Sequence, residues 1–169
     1  FTATYDSCTF TDSVLVQVIN DLNAMATADT SVICGEDSVQ LNATGGIGGA
    51  QFTWIPENGL SDPTIANPVA SPSQSTTYLV AVTEAGCFDT AEVTVDVIPR
   101  PEAAFINSNP DGCVPLEVSF TSVSTDVINY IWNFGDGSMV DNTADPFHEF
   151  TEPGTYTVTL VTENTGGCQ

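Results

Sequence analysis

The chain has 169 residues, of which 22 are acidic and one, Arg100, is basic; there is no lysine, and the formal net charge is −21. That balance argues against nucleic acid and anionic membrane surfaces as partners, since both are bound through positive charge. No run of 18 apolar residues provides a membrane span, and without lysine no Lys–Asn isopeptide cross-link can form.

Residues 1–22 read as the last strands of a sandwich domain that begins upstream, so the sequence is expected to be a piece of a longer chain. Residues 21–31 form a connection and a first edge strand. A complete domain is expected over 23–98, with strands near 38–43, 51–55, 76–82 and 91–97. Gly45-Gly46-Ile47-Gly48-Gly49 is a flexible loop between two of them. Residues 56–72 hold several prolines and Asx turns, which disfavour regular strand pairing. Ile98-Pro99-Arg100-Pro101 is a stiff, extended linker. The last domain, 99–169, has a strand at 116–121 but lacks a counterpart of 91–97. Within it Trp132 and Phe134 alternate with polar neighbours and share a strand face. Gly135-Asp136-Gly137-Ser138 then makes a tight turn. Residues 147–150 form a short return strand, and 155–161 alternate strictly, as a strand should.

The five cysteines keep a period. Cys8 to Cys87 and Cys34 to Cys113 are each 79 residues, and Cys87 to Cys168 is 81. Residues 8–19 align without gaps on 87–98. Such a period means tandem domains. Five regularly spaced cysteines without a CxxC motif point to an oxidising, extracellular setting rather than a zinc site. Pairing Cys34 with Cys87 and Cys113 with Cys168 gives separations of 53 and 55 residues, each joining the start of a domain to its last hairpin. Cys8 is left to a cysteine outside these residues. Each bridge would constrain the unfolded chain by about 4 kcal/mol on the chain-entropy model.

Trp132-Asn133-Phe134-Gly135-Asp136-Gly137-Ser138, His148-Glu149-Phe150 and Pro153-Gly154-Thr155-Tyr156 together resemble the polycystic-kidney-disease (PKD) domain. The resemblance covers about residues 101–169. The middle domain is similar to the PKD-like repeats of giant surface proteins in gliding bacteria with type IX secretion. It carries that likeness at 34–46, Phe52-Thr-Trp54-Ile-Pro56, 59–63, 67–72, 76–78 and Gly86-Cys87. It departs after Trp54, where Ile55-Pro56 replaces Phe-Gly-Asp-Gly. The resemblance implies an all-β chain of tandem, disulfide-bridged immunoglobulin-like sandwiches, with Trp54, Trp132, Phe134, Asp136, His148 and Tyr156 as core-motif residues.

Asp136 caps its turn; with Asp111, Asp141 and Asp145 it is also a candidate calcium set, because calcium prefers loop oxygens. No other cofactor is expected. His148 is the single histidine and lacks a nucleophile motif, so no catalytic residue and no enzyme are expected. Trp54 and Trp132, with Tyr78 or Tyr130, would form a carbohydrate platform only if exposed. Asn42-Ala-Thr44 fits N-glycosylation. Ser13, Ser38 and Thr90 lie in Asp-Ser/Thr-aliphatic triplets that resemble the O-glycosylation acceptor of the same bacteria.

The resemblance implies a structural repeat segment of a long extracellular surface adhesin or filament, projecting and spacing the chain for attachment or gliding. The expected partners are neighbouring repeats, further copies in a fibre, and surface glycans or other cells. A second expectation is a non-catalytic accessory module of a secreted hydrolase, binding polysaccharide or protein. Strand exchange, with residues 1–20 completing a neighbour's sandwich, is a further alternative.

Overall fold

The computed structural model describes residues 2–5, 8–11, 13, 14, 16, 18 and 21–169, the first two stretches by backbone alone. No helix occurs among the described residues. Strands β1 (Thr2–Tyr5) and β2 (Cys8–Thr11) form an antiparallel hairpin. Next come β3 (Met25–Ala28), β4 (Val32–Cys34), β5 (Val39–Thr44), β6 (Gln51–Ile55), β7 (Val69–Ala70), β8 (Thr76–Glu84) and β9 (Cys87–Ile98). The last five are β10 (Phe105–Asn107), β11 (Leu116–Ser122), β12 (Asn129–Asn133), β13 (Phe147–Phe150) and β14 (Thr159–Glu163).

Strands β3 to β9 make one sandwich. One sheet runs β3-β5-β7 and the other β4-β9-β8-β6, with β4 parallel to β9. The first strand of this sandwich is thus divided, as β3 and β4, between the two sheets, an immunoglobulin-like arrangement. Alternation explains how the sheets face each other. Val39, Leu41 and Ala43 on β5 point inward between Gln40 and Asn42. Tyr78, Val80 and Val82 on β8 do the same, and all pack with Trp54 and Val95. Burying each such side chain contributes roughly 1.5–3 kcal/mol. Ala85 and Gly86, with φ of 50° and 83°, join β8 to β9 through a two-residue turn of the primed type that matches strand twist.

Two expectations for this sandwich change in detail. The 45–49 loop is tied down: Gly46 N donates to Leu22 O at 2.7 Å and Ile47 N to the Glu84 carboxylate at 2.7 Å. The proline-rich segment does contain a strand, but only the two residues of β7.

Strands β10 to β14 make a second sandwich, with sheets β10-β11-β13 and β12-β14. Its core is Val118, Phe120, Trp132, Phe134 and Phe150. Phe105 and Phe120 meet Trp132 at ring distances of 5.0 and 5.6 Å. The strand expected at 155–161 begins only at Thr159. Its partner β12 reaches no further than Asn133↔Thr159, and no second strand lies beside 155–158 among the described residues. In the first sandwich the same stretch of β8 is laddered by β9.

Candidate functional site

The junction of the two sandwiches is where the chain concentrates its polar chemistry. Strand β4 runs beside the end of β9, so that Cys34 pairs with Ile98 and Gly35 N donates to Ile98 O at 2.8 Å. The chain then reverses at Glu36 (φ 71°), with Asp37 N donating to Cys34 O at 3.0 Å. From the other side, Asn164 shapes the turn after β14. Its Oδ1 accepts from Gly166 N and Cys168 N, each at 3.0 Å, and its Nδ2 donates to Pro99 O in the linker at 2.8 Å. Asn164 and Cys168 are both buried.

A disulfide closes the junction between Cys34 and Cys168, with Sγ–Sγ 2.05 Å and Cα–Cα 5.6 Å. Arg100 spreads its guanidinium across the same place. Nε donates to Gly35 O at 3.0 Å, Nη1 to Gln169 O at 2.5 Å and Nη2 to Asp37 Oδ1 at 2.8 Å. The planar guanidinium presents its donors on three separate nitrogens, so each of these spread acceptors is met by its own N–H. The Arg100 and Asp37 side chains are 41% and 47% exposed, so the ion pair orients more than it stabilises.

This pairing corrects the expected bridges Cys34–Cys87 and Cys113–Cys168. Cys34 sits beside Ile98, at one end of the 12-residue strand β9, and Cys87 begins the other end. That places them roughly 36 Å apart at strand rise, whereas a disulfide needs Cα atoms within about 7 Å. With Cys168 committed to Cys34, Cys113 is an exposed thiol. The side chain of Cys8 lies outside the described residues.

The second cluster is the Trp132 turn. Trp132 is fully buried; its Nε1 donates to Thr143 O at 2.9 Å, and its backbone exchanges hydrogen bonds with Asp141. Trp54 repeats the device, donating to Ile65 O at 3.0 Å, and is equally buried. Neither indole is therefore available as a stacking platform. Gly135 (φ 77°) is required where it stands, because a Cβ there would meet Thr157 O at 2.5 Å. Asp136 Oδ1 accepts from Ser138 Oγ at 2.6 Å and Ser138 N at 3.0 Å, and its Oδ2 faces His148 Nε2 at 2.7 Å. His148 stacks on Phe134 at 3.9 Å, meets Phe150 edge-on, and Phe150 stacks on Tyr156 at 4.8 Å. Tyr156 closes the corner by donating to Glu152 O at 2.9 Å. The Ser138 hydroxyl, above all, holds the Asp136 carboxyl well below its ordinary range, aided by the Ser138 amide and by His148. Asp141 is lowered in the same way by Thr143.

The four calcium candidates do not come together. Asp136 and Asp141 turn inward on Ser138 and Thr143, Asp145 accepts from Ser122 N at 2.9 Å, and Asp111 lies in an exposed loop. Among the described residues no group of three His, Cys, Asp or Glu side chains could hold a metal. Ser13, Ser38 and Thr90 are exposed. Asn42 is half-buried, its amide bonded to Asp29 and Asn67.

The two ends of the junction were visible in the sequence as a linker and two cysteines. The role of Arg100 was not, because a lone arginine between prolines carries no pattern until its acceptors are placed. Asn164 was missed for the same reason, though its position just before Thr165-Gly166-Gly167 is a turn signal.

Residues 96–169 match the family model described as PKD domain. A stretch of 67 residues is 40% identical to Collagenase ColA of Bacillus cereus, covering 37% of this chain and 7% of that protein's length. Among solved structures, murine CEACAM1b is 14% identical, with 69% of this chain and 75% of that chain covered and a TM-score of 0.40. The three N-terminal domains of the bacteriophage RB49 Highly Immunogenic Outer Capsid protein are 18% identical, with 86% and 56% covered and a TM-score of 0.39.

Proposed function

We propose that this chain is a segment of an extracellular surface adhesin or filament, in which sandwiches are spaced end to end and held at fixed joints. The observation that carries this reading is the Cys34–Cys168 bridge, which crosses from one sandwich to the next instead of closing within one. Such a staple resists bending and pulling at the linker, a property that spacing and attachment need and that catalysis does not. The Arg100 fork, the two linker prolines and an acidic surface that repels its own kind agree with an extended chain. A disulfide joint also requires an oxidising compartment, which supports placement outside the cell. Electron microscopy of the native protein at its cell surface, with the mass of the intact chain, tests this. Long fibres of a very large chain are the expected result.

A second reading is favoured by one finding, the 40% identity to part of Collagenase ColA. Here the sandwiches would be accessory modules that carry a hydrolase domain to an insoluble substrate. A compact secreted particle of modest mass with one catalytic domain would establish that reading and overturn the first.

A further inference from the structure

We propose that the first sandwich holds a binding cleft for uncharged saccharides, formed by two loops at the place where the second sandwich is plugged by aromatic rings. Hydrogen bonds fix the correspondence between the two domains. Trp54 Nε1 donates to Ile65 O and Trp132 Nε1 to Thr143 O, each acceptor 11 residues on, so Pro56 stands where Phe134 stands. Leu41 N donates to Pro68 O and Phe120 N to Pro146 O, and the pair Val39↔Ala70 repeats Val118↔His148. Ala70 and Pro72 therefore take the places of His148 and Phe150. Trp54↔Val80 and Trp132↔Leu160 put Thr76 in the place of Tyr156. In the second sandwich Phe134, His148, Phe150 and Tyr156 touch in series, ring against ring. In the first, none of the four positions carries an aromatic ring, and a cleft of about 500 Å³ opens beside Pro56, Pro72 and Thr76. That size lies within the range of small-ligand sites, about 300–1,000 Å³.

The walls of the cleft are tied in place. Ser71 N donates to Gly59 O at 2.7 Å, and a bridge pairs Leu60 with Ala70, so the loop after β6 is fastened to the segment that leads into β8. Ser75 Oγ accepts from Val97 N at 2.9 Å, which anchors that segment to β9. Gly59, at φ 79°, comes so close to its neighbour that a Cβ there would meet Ser71 O at 3.0 Å. A ligand therefore enters a site already shaped, and little ordering is left to oppose binding.

The lining sets the chemistry of the ligand. Asn58, Ser71, Ser73 and Gln74 contribute side-chain amides and hydroxyls that bond nothing among the described residues. Each of these groups can both donate and accept. No charged side chain lines the cleft, although the chain carries 22 acidic residues. An ionic ligand finds no counter-charge there, and an anionic one also meets the repulsion of the surrounding surface. Neutral saccharides are dense in hydroxyls that donate and accept in turn, so they match this lining. The exposed Pro56 adds apolar surface for the C–H face of a sugar ring.

This gives the adhesin reading a ligand and rests on that reading for its biological purpose. The test titrates the 169-residue chain with maltotetraose, cellotetraose, chitotetraose and mannotetraose, with sialyllactose as the anionic control, while backbone amide NMR signals are followed. At least one neutral sugar should shift the amides of Asn58, Gly59 and Ser73 to Thr77 saturably, and sialyllactose should not. Asn58→Ala with Gln74→Ala removes two exposed side chains that hold nothing in the fold. This variant should melt as the native chain does and bind the sugar about tenfold more weakly or worse. The proposal is overturned if no neutral sugar moves these amides, if sialyllactose moves them equally, or if the double variant binds undiminished. Fibres on cells together with a cleft that takes no sugar would remove the saccharide site and leave the filament reading standing. Sugar binding by a compact secreted particle would keep the site and remove the filament.

Discussion

Cys34 and Cys168 lie 134 residues apart in sequence and are bonded to each other across the junction of two sandwiches. A bond inside either sandwich would only restrain that sandwich. This one makes the unfolding of each depend on the other. On the chain-entropy model, closing a loop of this length is worth about 5 kcal/mol. Calorimetry of the oxidised chain should therefore show one coupled transition. Reduction, or Cys34→Ala with Cys168→Ala, should split it into two at lower temperature.

Arg100 acts on the angle of the joint more than on stability. Its ion pair with Asp37 is half-exposed, so Arg100→Ala should cost less than about 1 kcal/mol. Small-angle scattering should nevertheless show a wider spread of interdomain angles, provided the disulfide is reduced first. Arg100→Lys should fall closer to the alanine variant than to the native chain, since an ammonium donates from a single nitrogen whereas Gly35, Asp37 and Gln169 are met here by three different ones.

The Asp136 turn sets an acid limit on the second sandwich. Its folded carboxyl titrates well below the ordinary value of 3.8, through Ser138 first and His148 after it. The stability this gives is fully present above the unfolded value. It is lost as pH falls from there toward the folded one, because only the unfolded chain then takes up a proton. Denaturant unfolding should weaken from about pH 4 downward. Asp136→Asn should be less stable at neutral pH and flatten that slope; an unchanged slope would remove Asp136 as its source.

The buried tryptophans and Tyr78 give opposite signs. Trp132→Ala empties the centre of the second core and should cost about 3–5 kcal/mol. Tyr78 is fully buried and its hydroxyl has no hydrogen-bond partner. Tyr78→Phe should therefore be neutral or stabilising by about 1 kcal/mol, measured as the denaturation midpoint of the first sandwich.

Gly135→Ala should destabilise the second sandwich by more than about 1 kcal/mol, since it meets both a positive φ and the Thr157 carbonyl. Gly137→Ala, with positive φ but open space around it, should cost less. Melting of the pair in parallel checks the difference.

Much of the fold was written locally. The strands expected near 38–43, 76–82 and 91–97 are β5, β8 and β9, because strand-forming character is a property of neighbouring residues and needs no knowledge of the rest of the chain. The Trp132 turn was legible for the same reason: glycine, Asp136 and Ser138 lie within a few residues of one another. The 155–161 strand was over-read, since alternation reports a side-chain face and cannot report whether a second strand is there to pair with it. The cysteines mark the boundary most clearly. Their period of about 80 residues is equally consistent with a bridge inside a repeat and a bridge from one repeat to the next. Only the tertiary structure decides, because the 12 residues of β9 hold Cys87 and Cys34 at opposite ends of one strand and bring Cys168 to the end where Cys34 stands.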